Sequence, residues 1–323
     1  MSIKNNKKIL VTGGAGFIGS NIVEELLKLE NEVIILDDFF TGKSENIPPN
    51  NENLKIIKGD IRDYGLIKDI INDVDLVIHT AARNVIVSTK DPRNDFEVNI
   101  GGTLNILLAA MDSNVQKVVY SSSASVYGNS KQLLESEDDP TFPLAPYGVS
   151  KLAGENYCMV FYETYGLQTS ALRYFNVYGP KQSPENPYSG VISKFFSNAL
   201  NDLPPQIHGD GRQTRDFTFI DDVVEATLLA AESPKGNGEV FNVATGIETN
   251  INELADKIIE LCGKEGKIKP VHIDRRDIDN VRRRCANIEK IRRKLRWEPQ
   301  YSLDAGLKAT LKWFQEKSVN KGR

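Results

Sequence analysis

Short runs of apolar, largely β-branched residues recur along the first half of the chain, separated by stretches whose apolar positions fall three and four apart. Lys8-Ile9-Leu10-Val11, Glu32-Val33-Ile34-Ile35-Leu36, Leu54-Lys55-Ile56-Ile57, Leu76-Val77-Ile78 and Lys117-Val118-Val119-Tyr120 read as strands. Ser20 to Leu29 and Gly102 to Met111 read as helices between them. A longer helix from Tyr147 to Tyr165 leads into a further strand at Thr169–Tyr174. Strands that are apolar almost throughout, alternating with helices, predict a parallel sheet covered on both faces, a doubly wound α/β fold.

Beyond residue 175 the texture changes. Pro180, Pro184, Pro187, Pro204 and Pro205 crowd a stretch that no long regular element can cross. One more strand follows at Glu239-Val240-Phe241-Asn242-Val243, then amphipathic helices at Asn252–Cys262 and Ser302–Lys317. The pattern divides the chain into a larger nucleotide domain, residues 1–174 with 216–245, and a smaller discontinuous α/β substrate domain, 175–215 with 246–323.

Composition narrows the function by exclusion. The 323 residues carry 40 Lys or Arg against 44 Asp or Glu, so no strongly cationic field favours nucleic acid or an anionic membrane. No apolar run approaches the roughly 18 residues a membrane span needs, and no leader-like segment opens the chain, so a cytoplasmic protein is expected. Cys158, Cys262 and Cys285, like His79, His208 and His272, stand apart without metal-ligand or disulfide spacing, so no metal is expected. No Gly-x-Ser-x-Gly elbow is present. The chemistry must come from other side chains or a borrowed cofactor. One local exception stands out: residues 272 to 296 hold ten Lys or Arg against four Asp or Glu. Ile288, Ile291, Leu295 and Trp297 run among them at near-helical spacing, which predicts a buried face rather than a nucleic-acid patch.

Gly13, Gly16 and Gly19 are spaced G-x-x-G-x-x-G in Val11-Thr12-Gly13-Gly14-Ala15-Gly16-Phe17-Ile18-Gly19, directly after a strand and opening a helix. Glycines there let backbone approach a pyrophosphate, whose charge a helix N-terminus favours. Asp37 closes the second strand, where an acid bonds an adenosine ribose; it would repel a 2′-phosphate, so NAD is expected over NADP. Asp60 and Ile61 follow the third strand, where an acid meets the adenine amino group. Ala81 and Ala82 follow the fourth, small enough for a cofactor to lie close.

Pro146 starts a helix on which Tyr147 and Lys151, four apart, share a face. An ammonium beside a phenol stabilises phenolate, so Tyr147 is a candidate general base. Ser121-Ser122-Ser123-Ala124-Ser125 follows the fifth strand and should face the same crevice, because parallel-sheet sites gather at strand carboxyl ends.

With these motifs in this order, the sequence resembles the extended short-chain dehydrogenase/reductases, specifically the nucleotide-sugar epimerases related to UDP-glucose 4-epimerase. Asn99, Arg173-Tyr174-Phe175-Asn176, Gly209-Asp210-Gly211 and Gln213-Thr214-Arg215-Asp216-Phe217 extend the match over nearly the whole chain. The resemblance implies that Ser123 and Tyr147 stand near the sugar C4 and that Lys151 holds the cofactor ribose. Asn99, Ser121 and Tyr174 join Phe17 and Ile18 around NAD. Asn176 and Arg215, with an arginine of the Arg275-Arg276 pair (Arg276), hold the diphosphate of a UDP-sugar. It also implies a two-fold homodimer built partly on the Tyr147 helix.

The related 4,6-dehydratases resemble Thr-Asp-Glu at the positions of Ser123, Ala124 and Ser125, and the sugar decarboxylases Thr-Ser-Glu. Without a carboxylate there, elimination lacks its base, and C4 epimerisation through a 4-keto sugar is the expected reaction. The family's arginine-plus-Gly-Asp pattern is replaced by Arg275 to Ala286 without glycine, so the residue that gates the sugar is Arg284 or Cys285. Cys285 would leave room for an N-acetyl group, whereas Arg284 would oppose it or pair with a uronate. Arg83-Asn84-Val85 is a further candidate lining. A cofactor-binding protein without catalysis is the alternative from another class.

Overall fold

The structure, a computed structural model, describes residues 6–184, 190–275 and 281–321, with side chains as far as Lys317. Its centre is a sheet of strands β1 (Lys8–Thr12), β2 (Glu32–Asp37), β3 (Leu54–Lys58), β4 (Leu76–His79), β5 (Lys117–Ser123) and β6 (Thr169–Tyr174), completed by a late strand, Glu239–Val243. In space they run β3-β2-β1-β4-β5-β6 and then Glu239–Val243, every neighbouring pair parallel. The chain steps outward from β1 to β3 and then returns to β4 on the other side of β1. That reversal opens a crevice above the carboxyl ends of β1 and β4, the place where such sheets bind ligands.

Alternation along the strands explains their apolar texture. Ile9 and Val11 enter one core with Val33 and Ile35, while Leu10 enters the opposite core with Ile34 and Leu36. The first core is covered by helix α1 (Phe17–Lys28) through Ile22, Val23 and Leu26. The second is covered by α2 (Tyr64–Ile71), by α5 (Thr103–Asp112) and by α6 (Pro146–Tyr165), through Ile67, Ile106 and Phe161. Between β4 and α5 lie the short helices α3 (Val85–Lys90) and α4 (Pro92–Asp95) and a π-helical turn, Phe96–Gly102.

The rest of the chain adds α7 (Val191–Leu200), β7 (Gln206–His208), β8 (Thr214–Arg215), α8 (Ile220–Glu232), and the late sheet strand as β9 (Glu239–Val243). After these come β10 (Thr249–Asn250), α9 (Ile251–Leu261), β11 (Val271–Ile273), α10 (Glu289–Leu295) and α11 (Leu303–Lys321). Helix α8 packs on α1 and lines the first core through Ile220, Val223 and Val224. Strands β7 and β11 pair in parallel, and β8 and β10 pair antiparallel.

Several expectations shift in detail. β5 continues to Ser123 because Ser121, Ser122 and Ser123 pair with Leu172, Arg173 and Tyr174, so the serines belong to the strand and not to a loop after it. Tyr165 is 57% exposed, since the helix ends there at the left-handed Gly166. Cys262 is half-buried at the end of α9. Helix α8 escaped the sequence reading although Ile220, Val223, Val224, Thr227 and Leu228 carry its period.

The basic C-terminal stretch is paired with acids. Arg282 bonds Asp210 at 2.8 Å, Arg283 bonds Glu248 at 2.5 Å, and Lys290 and Lys294 both reach Glu239. Its apolar face is buried, Trp297 to 1% exposure. Among the described residues no helix is long and apolar enough to cross a membrane.

Candidate active site

β1 hands the chain to α1 through a turn only glycine can make. Gly13 has a φ of +70°, and a Cβ on it would lie 2.7 Å from the Ala81 nitrogen. Gly16 caps α1 without a side chain, so the first-turn amides that include Phe17 and Ile18 face outward with the helix dipole behind them. Gly19 lies buried inside that turn. Asp37 stands over the loop: its carboxylate accepts from the Ala15 N–H at 2.9 Å and the Phe39 N–H at 2.8 Å. Burial pushes its carboxyl above the ordinary value, and those two amides pull it back. Asp60 is clasped by Arg62 at 2.7 Å; burial raises its carboxyl, but the guanidinium outweighs burial and holds it low. Ile61 is buried beside Gly102. Ala81 donates to the Thr12 hydroxyl at 3.3 Å, and Ala82 continues the same half-buried segment.

His79 ends β4 but is sealed in. Its Nε2 lies 2.9 Å from Thr103 Oγ1, which itself donates to the Asn99 carbonyl, so Nε2 carries the proton. Nδ1 then accepts from Thr12 Oγ1 at 2.6 Å. Burial, aided by Lys151, lowers its pKa to about 3, so the ring is neutral and structural.

The catalytic candidates converge where α6 begins. A Cβ on Gly148 would lie 2.7 Å from the Ser125 carbonyl oxygen, so glycine lets the first turn of α6 press against the turn that follows Ser123. The Ser123 hydroxyl accepts from the Ser125 N–H at 3.1 Å and keeps its own proton for another acceptor. Lys151, 3% exposed, donates to the Ser121 carbonyl at 2.7 Å, and its ammonium lies 5.8 Å from the centre of the Tyr147 ring. Burial drives its pKa down to about 8, with Asp95 and Glu155 opposing, so it is charged at neutral pH. Asn99 bridges the segments. It accepts from the Arg83 N–H at 2.7 Å and donates to the Arg83 carbonyl, to Asp95 at 2.6 Å and to Ser150. Ser150 donates to the Tyr147 carbonyl at 2.9 Å, which ties the network to the candidate base.

Sequence reasoning missed Asp95, although it stands four residues before Asn99. It also missed Glu155, which binds Arg173 at 2.8 Å and accepts from Ser122. The structure does not turn the Tyr174 hydroxyl to the crevice: it donates to Thr227 of α8, which donates onward to Val223. Arg83 points to Asp38 at 2.6 Å and stacks on Phe40, on the side of Asp37 rather than with the sugar candidates, and Asn84 caps α3.

On the opposite wall, Asn176 donates to the Asp216 carbonyl at 3.0 Å and Arg215 to the Thr214 carbonyl at 2.8 Å. Asp216 is fully buried and gathers Thr245, Gly246 and Ala286 through their N–H groups. Cys285 is buried with its Sγ 3.8 Å from Asp216, and Arg284, also buried, donates to the Gly128 carbonyl at 2.6 Å. Arg276 lies outside the described residues. No cluster of metal-ligating side chains occurs among the described residues.

The family described as GDP-mannose 4,6 dehydratase matches residues 10–310. The UDP-glucose 4-epimerase of Mycolicibacterium smegmatis is 38% identical over 320 residues, 96% of this chain and 99% of that one. The chain belongs to the extended short-chain dehydrogenase/reductase family. Within it, the chain groups with the nucleotide-sugar epimerases, and its cofactor is NAD. The Thermotoga maritima UDP-glucose 4-epimerase, solved with UDP-glucose, superposes with a TM-score of 0.91 at 37% identity, covering 96% of this chain and 99% of that one. The Thermus thermophilus UDP-glucose 4-epimerase, solved with NAD, gives 0.85 at 35% identity, covering 95% and 99%.

This extended short-chain dehydrogenase/reductase has residues suited to NAD. An uncapped helix N-terminus behind a close-packed glycine turn suits a pyrophosphate, and a desolvated Asp37 suits ribose hydroxyls. The buried Lys151 ammonium is hydrogen-bonded to a neutral carbonyl, which leaves donors for a second sugar.

Proposed function

We propose that the protein interconverts UDP-hexoses at C4, the UDP-glucose/UDP-galactose pair or its N-acetylhexosamine counterpart. The observation that carries this reading is the packing of Tyr147 and Lys151 against a strand end, Ser123-Ala124-Ser125, that holds hydroxyls and no carboxylate. Such a strand end can move a proton on and off one oxygen and carries no carboxylate of its own to serve as a base for elimination. In this reading Gly13, Gly16, Phe17, Ile18, Gly19, Asp37, Asp60, Ile61, Ala81, Ala82, Asn99, Ser121 and Tyr174 surround the cofactor, the last through its backbone.

NAD, when bound, supplies the hydride acceptor for C4 and returns the hydride. Tyr147 takes the proton of the 4-hydroxyl, with the Lys151 ammonium stabilising its phenolate. Ser123 orients the same oxygen and relays its proton. Asn176, Arg215 and Arg276 hold the diphosphate while the 4-keto sugar turns its other face, with Cys285 behind the sugar. Residues 1–174 and 216–245 serve the cofactor, and 175–215 and 246–323 the nucleotide sugar.

The test is NMR of UDP-glucose/UDP-galactose interconversion by NAD-loaded protein. Tyr147→Phe should cut kcat by about 10²–10⁴-fold, and near-normal turnover by that variant would sink the assignment. We also infer a cytoplasmic protein, on its three free cysteines, and a homodimer. Val149 and Val160, 54% and 49% exposed on α6, support the dimer: an 11-residue separation sets them on one helix face.

A further inference from the structure

Three consecutive arginines, Arg282, Arg283 and Arg284, have different fates. The first two are exposed and paired with Asp210 and Glu248, whereas Arg284 is 4% exposed. Its Nη2 donates to the Gly128 carbonyl, and its Nε has no hydrogen-bond partner. That Nε faces a carboxylate oxygen of Glu135 at 3.8 Å, too far for a hydrogen bond. Glu135 is fully buried, and neither of its carboxylate oxygens finds a donor. Burial pushes its pKa up to about 7, Arg284 pulls it down, and Asp139, Arg215 and Asp216 also act on it.

The backbone around this pair is firm. The Glu135 N–H donates to the Cys285 carbonyl and the Asn287 N–H to the Glu135 carbonyl, both at 2.8 Å. Buried polar groups almost always find partners, so two unbonded carboxylate oxygens beside an unbonded guanidinium nitrogen, on pinned backbone, leave these two charges answering chiefly each other. The position of the pair suits the sugar: Gly128, whose carbonyl holds Arg284, closes the turn that begins at Ser123.

We propose that Glu135 masks Arg284, so that the sugar end of this site accepts neutral hexose rings and rejects hexuronates. The inference rests on the UDP-sugar reading above and names the charge class of its substrate. Above the Glu135 pKa of about 7, a uronate carboxylate approaching Arg284 would meet the buried Glu135 carboxylate beside it, a like-charge contact in a poorly screened setting. A neutral ring brings no charge to that contact.

The experiment measures dissociation constants by calorimetry, and kcat/KM, on the NAD-loaded protein with UDP-glucose, UDP-N-acetylglucosamine and UDP-glucuronate. Wild type should favour the neutral ligands by at least about tenfold. Glu135→Gln, and independently Glu135→Leu should Gln fail to fold, should improve UDP-glucuronate relative to UDP-glucose by about tenfold or more. Adding Arg284→Gln should abolish that gain. Equal wild-type affinity for UDP-glucuronate and UDP-glucose, or a ratio unmoved by both Glu135 variants, overturns the masking. Tight binding of neutral UDP-sugars with no interconversion of any pair overturns the epimerase reading alone. Failure to bind any UDP-sugar overturns both.

Discussion

Lys151 is held by opposing forces at the scale of one side chain: burial strips its hydration, while Asp95 and Glu155 supply negative charge nearby. The balance, a pKa of about 8, leaves it charged below that pH and neutral above it. The sign for catalysis follows. Turnover that depends on the ammonium declines as pH rises through about 8, and Lys151→Met, with no ammonium to lose, shows no such limb. The variant should also be slower by about 10²-fold or more, as when one preorganised charge is removed from a site. A kcat–pH profile of both proteins checks this. Tyr147 and Lys151 were legible in the sequence because four residues on a helix define a face without help from the rest of the chain. Asp95 was not, because its contacts with Ser150 and Asn99 depend on how a π-helical turn meets α6.

Elements were legible to the degree that their signal is local. The strand runs and the helices at 17–28, 146–165 and 251–261 announce themselves by period, whereas two-residue strands such as β8 and β10 exist only by virtue of each other. For the same reason the residue proposed to stand behind the sugar could not be told from residue order. Which of Arg284 and Cys285 turns toward Gly128 or Asp216 is decided by the bridge between Glu135 and Ala286. The junction of α6 with the turn after Ser123 is the element-scale contact most open to test. Gly148→Ala introduces a methyl 2.7 Å from the Ser125 carbonyl oxygen and 2.9 Å from Pro143. Overpacking of that kind costs about 1–3 kcal/mol. It would also shift the first turn of α6, which carries Tyr147, against the turn after Ser123, so urea unfolding should register the loss and kcat should fall more than KM rises.

At the scale of the whole molecule, the sheet has a chemically different far end. Lys117 begins β5 with 4% exposure, donating to the Ser233 carbonyl at the end of α8, and burial lowers its pKa to about 7. The unfolded chain protonates this amine up to an ordinary pKa near 10.5, so between pH 7 and 10 unfolding takes up a proton and stability rises with pH. Lys117→Met should flatten that slope, with wild type gaining on the variant as pH climbs; parallel curves by urea melts would contradict it. The proposed dimer belongs to this scale too. Sedimentation should give twice the chain mass of 36.0 kDa, and a charge at Val160 should shift it toward the monomer.

Asp216 carries a consequence for anyone recombining this protein with its relatives. One buried carboxylate accepts hydrogen bonds from Thr245, Gly246 and Ala286, and the strand-like bridge at Ala286 is shared with Glu135. The wall from Val281 to Asn287 is therefore no interchangeable cassette. A chimera that imports this wall without the partners of Asp216 and Glu135 from the same parent strands buried charges, and donor segments must travel as a set.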